Sequence, residues 1–156
     1  MWAPPGRYTI ELSVDGQRLT QPLTVAPDPR VSLPPEVYAR QLALARRVEA
    51  QRERVAAAIA MGEKLHASLA AKGAFESDAR VRALLGPDFG EIPPAAPPAG
   101  LSTLRALANT LGGLATAVDG ADAEPTPDAV AALPKVEPAV DATLTAWEQL
   151  VRSLAP

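Results

Sequence analysis

The side chains best suited to chemistry are sparse in this chain, which has one histidine and no cysteine. No serine or carboxylate is spaced around His66 in a known nucleophile pattern, so His66 does not predict general-base catalysis. A histidine on an exposed or rim position of a helix is the simpler interpretation. Without cysteine the chain has no disulfide, no thiol nucleophile and no thiolate ligand for a metal.

The acidic residues form one cluster, which contains Asp119, Asp122 and Glu124. A calcium loop needs carboxylates at alternating positions around a central glycine, and this cluster lacks that spacing. We interpret it as a helix-ending turn with exposed acids. Because the chain has one histidine and no cysteine, a metal site would have to be built from oxygen ligands. We therefore predict no catalytic residue, no metal site and no cofactor, and we expect that the chain is not an enzyme.

Arginines are frequent in the first half of the longest helical segment, at Arg40, Arg46, Arg47, Arg52 and Arg54. A surface that binds phosphate or anionic lipid is one interpretation, and a solvated helix face, partly offset by acidic neighbours, is the other. No aromatic residues are interleaved for stacking on bases, and the net charge is −3, so nucleic acid is not an expected partner. Among these arginines, Arg46, Arg47 and Arg54 are our candidate interaction residues.

The segment that carries these arginines runs from Glu36 to about Lys72, without proline and with one glycine. Its apolar residues recur at intervals of three and four, as in a helix that packs against other helices. The pattern consists of Val37, Leu44, Val48, Val55, Leu65 and Leu69, with Gln41, Gln51, Ala58 and Gly62 in the remaining positions. We predict one long helix, with Ser32 as its N-cap and Gly73 as its stop signal.

Three further helices are predicted after this one. A short helix spans 75–85, another spans 101–118, and a last helix follows Thr126 as its N-cap. Pro134 and Pro138 interrupt the apolar pattern of the last helix, so we expect a kink or a division there, with the regular part starting within 135–139. We interpret 87–100 as an extended, proline-rich connector. We also expect Gly62 to face Gly112-Gly113 across the bundle, since small residues let helices approach closely.

The β signal lies between Arg7 and Val25, where apolar and polar residues alternate around Asp15-Gly16, a pair suited to a two-residue turn. Closing the hairpin there pairs Val14 with Gln17, Leu12 with Leu19 and Tyr8 with Leu23. The apolar side chains of both strands then share one face. This face supplies the candidate interaction residues Tyr8, Ile10, Leu12, Leu19 and Leu23. Pro22 lacks an amide donor, which indicates a bulge or a free edge nearby.

An isolated two-stranded hairpin is marginally stable in water, so this one needs a partner sheet, a helix or another copy of itself. We interpret it as the remnant of a β-sandwich whose earlier strands are missing. The alternative is a hairpin that rests on its own helices. A homodimer through the hairpin edge is a further possibility.

The predicted fold is mainly α: an antiparallel three- to four-helix bundle with an N-terminal β-hairpin. We divide the chain into the hairpin and linker at 1–31 and the helical bundle at 32–156. No apolar run approaches the ~20 residues of a membrane span, and no signal peptide is visible at the start of the sequence.

Two stretches resemble a known family. The hairpin and linker are similar to the C-terminal region of bacterial sortilin-like, BNR-repeat β-propeller proteins, often labelled glycosyl-hydrolase-like. The residues that carry this similarity are Pro5-Gly6-Arg7-Tyr8-Thr9-Ile10-Glu11-Leu12-Ser13-Val14-Asp15-Gly16, then Gln21-Pro22-Leu23 and Asp28-Pro29-Arg30-Val31. The stretches 107–114 and 118–126 resemble the helical tail of that family, as does Trp147.

The resemblance implies that the chain is the end of an immunoglobulin-like domain followed by a helical tail. The implied function is a non-catalytic C-terminal structural or interaction module. Its partners would be its own upstream propeller and sandwich domains or a second copy. It would be exported, to the periplasm or to the extracellular space. No residue corresponds to a catalytic position of the family. Two alternatives stay open: a coiled-coil-like adaptor that binds partners through its long helix, and an anionic-surface-binding helix.

Overall fold

The computed structural model describes residues 3–88 and 96–154, and two strands and four helices lie within them. In chain order these are β1 (Gly6–Val14), β2 (Gln17–Val25), α1 (Pro35–Ala71), α2 (Phe75–Leu85), α3 (Leu104–Asp119) and α4 (Pro127–Leu154). The predicted fold class, a helical bundle with an N-terminal hairpin, is confirmed. Part of the predicted connector, 89–95, falls outside the described residues.

The hairpin has the register that the alternation predicts. Val14 pairs with Gln17, Leu12 with Leu19 and Tyr8 with Leu23, and the pairing continues unbroken to Gly6 and Val25. The turn residues Asp15 and Gly16 have φ angles of 49° and 79°, both in the left-handed region that this tight turn requires. Pro22 lies directly opposite Thr9 within the ladder, so it causes no bulge.

Helix α1 begins later than the predicted N-cap at Ser32. Pro34 is the residue before the helix, with an extended ψ of 148° and no side-chain cap, and Pro35 is the first helical residue. The prolines replace a capping side chain because their missing amides need no partner in the first turn. The prediction of Ser32 as the N-cap is therefore wrong. Gly73, with a φ of 69°, follows the end of the helix as predicted.

The helices form an up–down–up arrangement: α1 and α4 run in one direction, and α2 and α3 both run in the opposite direction. Asp78 and Leu85 of α2 lie beside His66 and Gly62 of α1, so α2 runs back along α1. Helix α3 continues in the same direction, because its end at Val118 meets Gln41 near the start of α1. Helix α4 then runs parallel to α1.

The chain between α2 and α3 leaves the bundle and returns at almost the same point. A Cβ atom at Gly86, just after α2, would lie 2.5 Å from the Thr103 hydroxyl, just before α3. Arg105 donates a hydrogen bond of 2.8 Å to the Gly86 carbonyl. Thr103 accepts from the Ala106 amide and is the N-cap of α3, so this helix begins three residues later than the predicted position 101.

Helix α4 is continuous through both of its internal prolines. The expectation that Pro134 and Pro138 divide the helix, with its regular part starting within 135–139, is therefore wrong, whereas the alternative expectation of a kink stays a prediction. Both prolines lie on the exposed side, one turn apart. The carbonyls that lose their intrahelical partners also lie on this side, where water can bind them. Thr126 caps the helix as predicted, accepting from the Ala129 amide at 3.2 Å.

The prediction that Gly62 faces Gly112-Gly113 across the bundle is wrong. A Cβ atom at Gly62 would lie 3.1 Å from Leu85 of α2 and 3.2 Å from Trp147 of α4. A Cβ atom at Gly112 or at Gly113 would meet nothing within 4 Å. The small residue on α1 therefore admits α2 and the indole of α4, whereas the glycine pair of α3 is not needed for close packing.

The buried core consists of two clusters along α1. The larger one surrounds Trp147 and joins all four helices, and it contains Val55, Ala58, Val81, Leu84, Leu85, Leu104, Leu107, Leu111, Val140, Leu144, Trp147 and Leu150. The smaller one joins α1, α3 and α4 near the start of α1, and it contains Leu44, Ala45, Val48, Leu114, Val118, Ala129 and Leu133. Both lie in the bundle, and neither includes a hairpin residue.

Candidate functional site: the exposed face of the hairpin

The hairpin presents an exposed apolar face that the bundle does not cover. The exposed fractions of its large residues are 50% for Ile10, 55% for Leu12, 54% for Val14, 66% for Leu19 and 42% for Leu23. Directly opposed residues of paired strands point to the same face, so these side chains form one continuous surface. Val14 was not among the predicted candidates, although the same alternation places it on this face.

Within the described chain, no Cα atom of either strand lies within 8 Å of a Cα atom of a helix. The hypothesis of a hairpin that rests on its own helices is therefore wrong. The base of the hairpin is anchored near the bundle instead: half-buried Tyr8 donates a hydrogen bond of 2.6 Å to the Pro4 carbonyl, and Pro4 lies beside Tyr38 of α1.

The two edges of the hairpin differ in their hydrogen-bonding groups. A two-residue turn makes Val14 and Gln17 a hydrogen-bonded pair, and such pairs alternate along an antiparallel ladder with pairs whose amides point outward. Thr9 and Pro22 belong to the outward-pointing kind. The outer edge of β2 therefore lacks a donor near its centre, whereas the outer edge of β1 keeps its full set.

The arginines of α1 do not form a free basic surface. Arg47 contacts Glu137 at 3.0 Å, and Arg54 contacts Asp141 at 2.8 Å, so both are paired with α4. Arg46 is exposed. The candidates Arg47 and Arg54 thus connect two helices, where the salt bridges help to hold α4 against α1.

A third ion pair extends this series, since Arg40 contacts Glu124 at 2.6 Å. Arg40, Arg47 and Arg54 are spaced by seven residues, the interval at which a packed helix presents the same flanking position to its neighbour. Sequence reasoning missed the pairing of these arginines with the α3–α4 segment and α4, although the seven-residue interval was visible. We call these three pairs the arginine ladder.

His66 is engaged with an acid. Its Nδ1 atom lies 2.5 Å from Oδ1 of Asp78, and the two side chains are 40% and 13% exposed. The pair joins the end of α1 to α2, which explains why a lone histidine lies there. We interpret the pair as a structural contact between the two helices.

The acidic cluster lies where α3 ends. Glu124 is held by Arg40, and Asp122 lines a small cavity of about 30 Å³ together with Tyr38 and Gln41. Such a volume is enough for a single water molecule. Gln41 donates hydrogen bonds of 2.8 Å to the carbonyls of Val118 and Ala121, which satisfies one acceptor at the end of α3 and one in the turn that follows.

An apolar groove of about 520 Å³ lies between α1 and α4. Met61, half exposed, forms one side of it, and Trp147 forms its floor. Its charged lining residues are Arg54, Glu148 and Arg152. Nothing in the described chain shows what would bind there, so the hairpin face remains the stronger candidate site.

Two side chains have shifted pKa values, and both lie in the linker after the hairpin. Hydrogen bonds from the Arg30 guanidinium, at 2.7 Å, and from the Arg30 backbone amide hold the pKa of Asp28 below its ordinary value. The same side-chain contact raises the pKa of Arg30. The Arg30 side chain is 87% exposed and the Asp28 side chain is 29% exposed, so this contact shapes a turn at the surface and does not indicate a reactive site.

Within 3–88 and 96–154 no group of three acidic or histidine side chains is placed to hold a metal ion. No helix among the described elements combines the length and the apolarity that crossing a membrane requires. No family model matches the chain, and no curated protein or solved structure shows significant similarity to it.

Proposed function

We propose that the chain is a non-catalytic structural and interaction module. In this proposal the helical bundle is a scaffold, and the apolar face of the hairpin binds other β-structure. The observation that carries it is the exposure of large apolar side chains on a hairpin whose strands contact no helix. Contiguous exposed apolar surface of this kind is typical of interaction sites.

The wider context belongs to the same proposal. The resemblance of the hairpin and linker to the end of an immunoglobulin-like domain supports a larger bacterial protein of the sortilin-like, propeller-bearing kind, exported from the cell. The partner strands would then come from the upstream domains of the parent protein or from a second copy of the chain. The coding sequence upstream tests this directly: a repeat-rich propeller is expected there, and its absence would remove this context without affecting the binding role of the hairpin.

The hairpin is a better candidate than the long helix. An adaptor that binds partners through the seam of α1 would need Leu44, Val48 and Val55 to be accessible, and all three are buried in the bundle of their own chain. An anionic-surface-binding helix would need free arginines, and the arginine ladder already pairs its three with acids.

Hydrogen exchange combined with light scattering tests the binding role. An isolated two-stranded hairpin is marginal in water, so we expect the amides of 6–25 to be protected only when the hairpin is bound to another β-element. The amides of the bundle core serve as the internal control. A monomer whose hairpin amides exchange as slowly as the core would contradict the proposal, because the hairpin would then need no partner.

A further inference from the structure

We propose that the free edge of β1 pairs in an antiparallel manner with β1 of a second copy of this chain. This inference rests on the proposed function, because it takes the hairpin as the binding element and names the edge, the partner and the register. Three observations carry it: Pro22 removes a donor from the outer edge of β2 but not from that of β1, the charges along β1 are complementary to themselves, and the apolar faces of the two copies match.

The hydrogen-bonding groups select the edge. Counting from the turn pair of Val14 and Gln17, the odd-numbered residues of β1 direct their backbone N–H and C=O groups away from β2. All of these residues can donate. On β2 the equivalent row includes Pro22, which cannot, and proline at such a position is a device that blocks strand addition. Strand addition is therefore favoured at β1.

The charges of β1 select the register. When a twofold axis passes through Thr9, Arg7 lies opposite Glu11 of the second copy, and the reverse pair forms on the other side of the axis. An axis through Arg7 or through Glu11 would place like charges opposite each other, which is destabilising. An axis through Tyr8 or Ile10 would pair neither charge with its opposite. Arg7 and Glu11 are both exposed and available for this contact.

Glu11 already has one partner, since Arg18 of β2 lies 3.6 Å from it. This contact is long, and the two side chains are 47% and 73% exposed, so it contributes little stability. The second carboxylate oxygen of Glu11 can accept from Arg7 of the other copy at the same time. The contact within the hairpin therefore does not compete with the proposed one.

The same register matches the apolar face. Tyr8 lies opposite Ile10 of the second copy, and a pair of an aromatic and a β-branched residue is favourable across strands. Because the twofold axis is perpendicular to the sheet, the apolar faces of both copies lie on the same side of a four-stranded sheet. Sheets of more than two strands are less dependent on outside support than a lone hairpin.

Disulfide cross-linking tests the register, and the chain has no cysteine that would interfere. In Thr9→Cys the two cysteines would lie opposite each other with a Cα separation of roughly 5.5 Å, which suits a disulfide. In the control, Ser13→Cys, they would lie roughly 26 Å apart at about 3.3 Å per residue. We expect a disulfide-linked dimer from Thr9→Cys under mild oxidation and none from Ser13→Cys. Equal cross-linking of both variants would overturn the register.

Charge exchange tests the partner. Arg7→Glu makes both contacts between copies acidic, and Glu11→Arg makes both basic, so each variant alone should self-associate roughly tenfold more weakly. A mixture of the two variants restores both opposite-charge pairs, and we expect it to associate as the unaltered chain does. Variants that associate normally on their own, or a mixture that does not recover, would contradict the inference.

Light scattering separates the two proposals. A dimer or an even-numbered assembly that cross-links through position 9 supports both. Association without that cross-link overturns the inference and leaves the binding role of the hairpin in place. A monomer with rapidly exchanging hairpin amides also overturns only the inference, whereas a monomer with slowly exchanging hairpin amides overturns both.

Discussion

Leu12 of β1 lies directly opposite Leu19 of β2, and more than half of each side chain is exposed. Directly paired leucines in a sheet are normally covered, because burying such a side chain contributes about 1.5–3 kcal/mol. Here the contribution is not realised within the chain. The pair therefore marks the part of the molecule where binding a partner would gain the most.

Replacing both leucines, in the double variant Leu12→Ser and Leu19→Ser, should abolish binding of a hydrophobic fluorescent dye by the hairpin. The stability of the bundle should change by less than about 0.5 kcal/mol, since the strands contact no helix. Thermal denaturation and dye fluorescence measure the two effects. Thr20→Ser, on the polar face of β2, is the matched control. A clear fall in the melting temperature of the bundle would show that the hairpin supports the helices.

The packing of Gly62 leads to a second prediction. Gly62→Leu would place a side chain where a Cβ atom alone already lies 3.1 Å from Leu85 and 3.2 Å from Trp147. We expect the free energy of unfolding to fall by about 1–3 kcal/mol, measured by urea denaturation. Gly112→Ala is the control, since its Cβ meets nothing within 4 Å; it should raise stability by about 0.5–1 kcal/mol through helix propensity. Equal effects of the two substitutions would contradict this packing.

Local sequence signals were sufficient for the hairpin and for most helix ends. Alternation and Asp15-Gly16 fix the register because a slip of one residue would reverse every side chain. Local signals were insufficient where the packing depends on which helices contact one another. Gly62 offers a close approach, but only tertiary packing decides that α2 and Trp147 use it. Pro134 and Pro138 are tolerated because they lie on the solvent side of α4, and the side on which they lie depends on how the helix docks.

The candidate site was also only partly predictable. The apolar pattern identifies the hairpin face, but whether helices cover that face is not encoded in any short stretch. The arginines of α1 illustrate the same limit: their spacing of seven residues was present, while the acids they contact lie 84 to 90 positions away. Interactions between residues so far apart become visible only when the helices are placed side by side.

The arginine ladder gives a third prediction. Arg47→Glu would place two carboxylates together at the position where Arg47 now contacts Glu137 at 3.0 Å. Since Arg47 is about half exposed, we expect a loss of roughly 1 kcal/mol, with the effect reduced at high salt. Arg46→Glu changes the same charge at a neighbouring exposed position and should alter stability by less than about 0.5 kcal/mol. Urea denaturation at low and high ionic strength measures both, and equal losses would show that the ion pair is not the cause.

The last prediction concerns the end of α3, where two buried polar residues of α1 lie side by side. Gln41 donates 2.8 Å hydrogen bonds to the carbonyls of Val118 and Ala121, so Gln41→Leu should cost about 1–3 kcal/mol by leaving these acceptors without their donor. The hydroxyl of Tyr38 is buried and has no hydrogen-bond partner among the described residues. Tyr38→Phe should therefore leave the free energy of unfolding within about 0.5 kcal/mol of its original value, or raise it. Urea denaturation compares the two variants. A larger loss for Tyr38→Phe than for Gln41→Leu would reverse the assignment, and it would mean that the tyrosine hydroxyl, not the glutamine amide, holds the start of α1 to the end of α3.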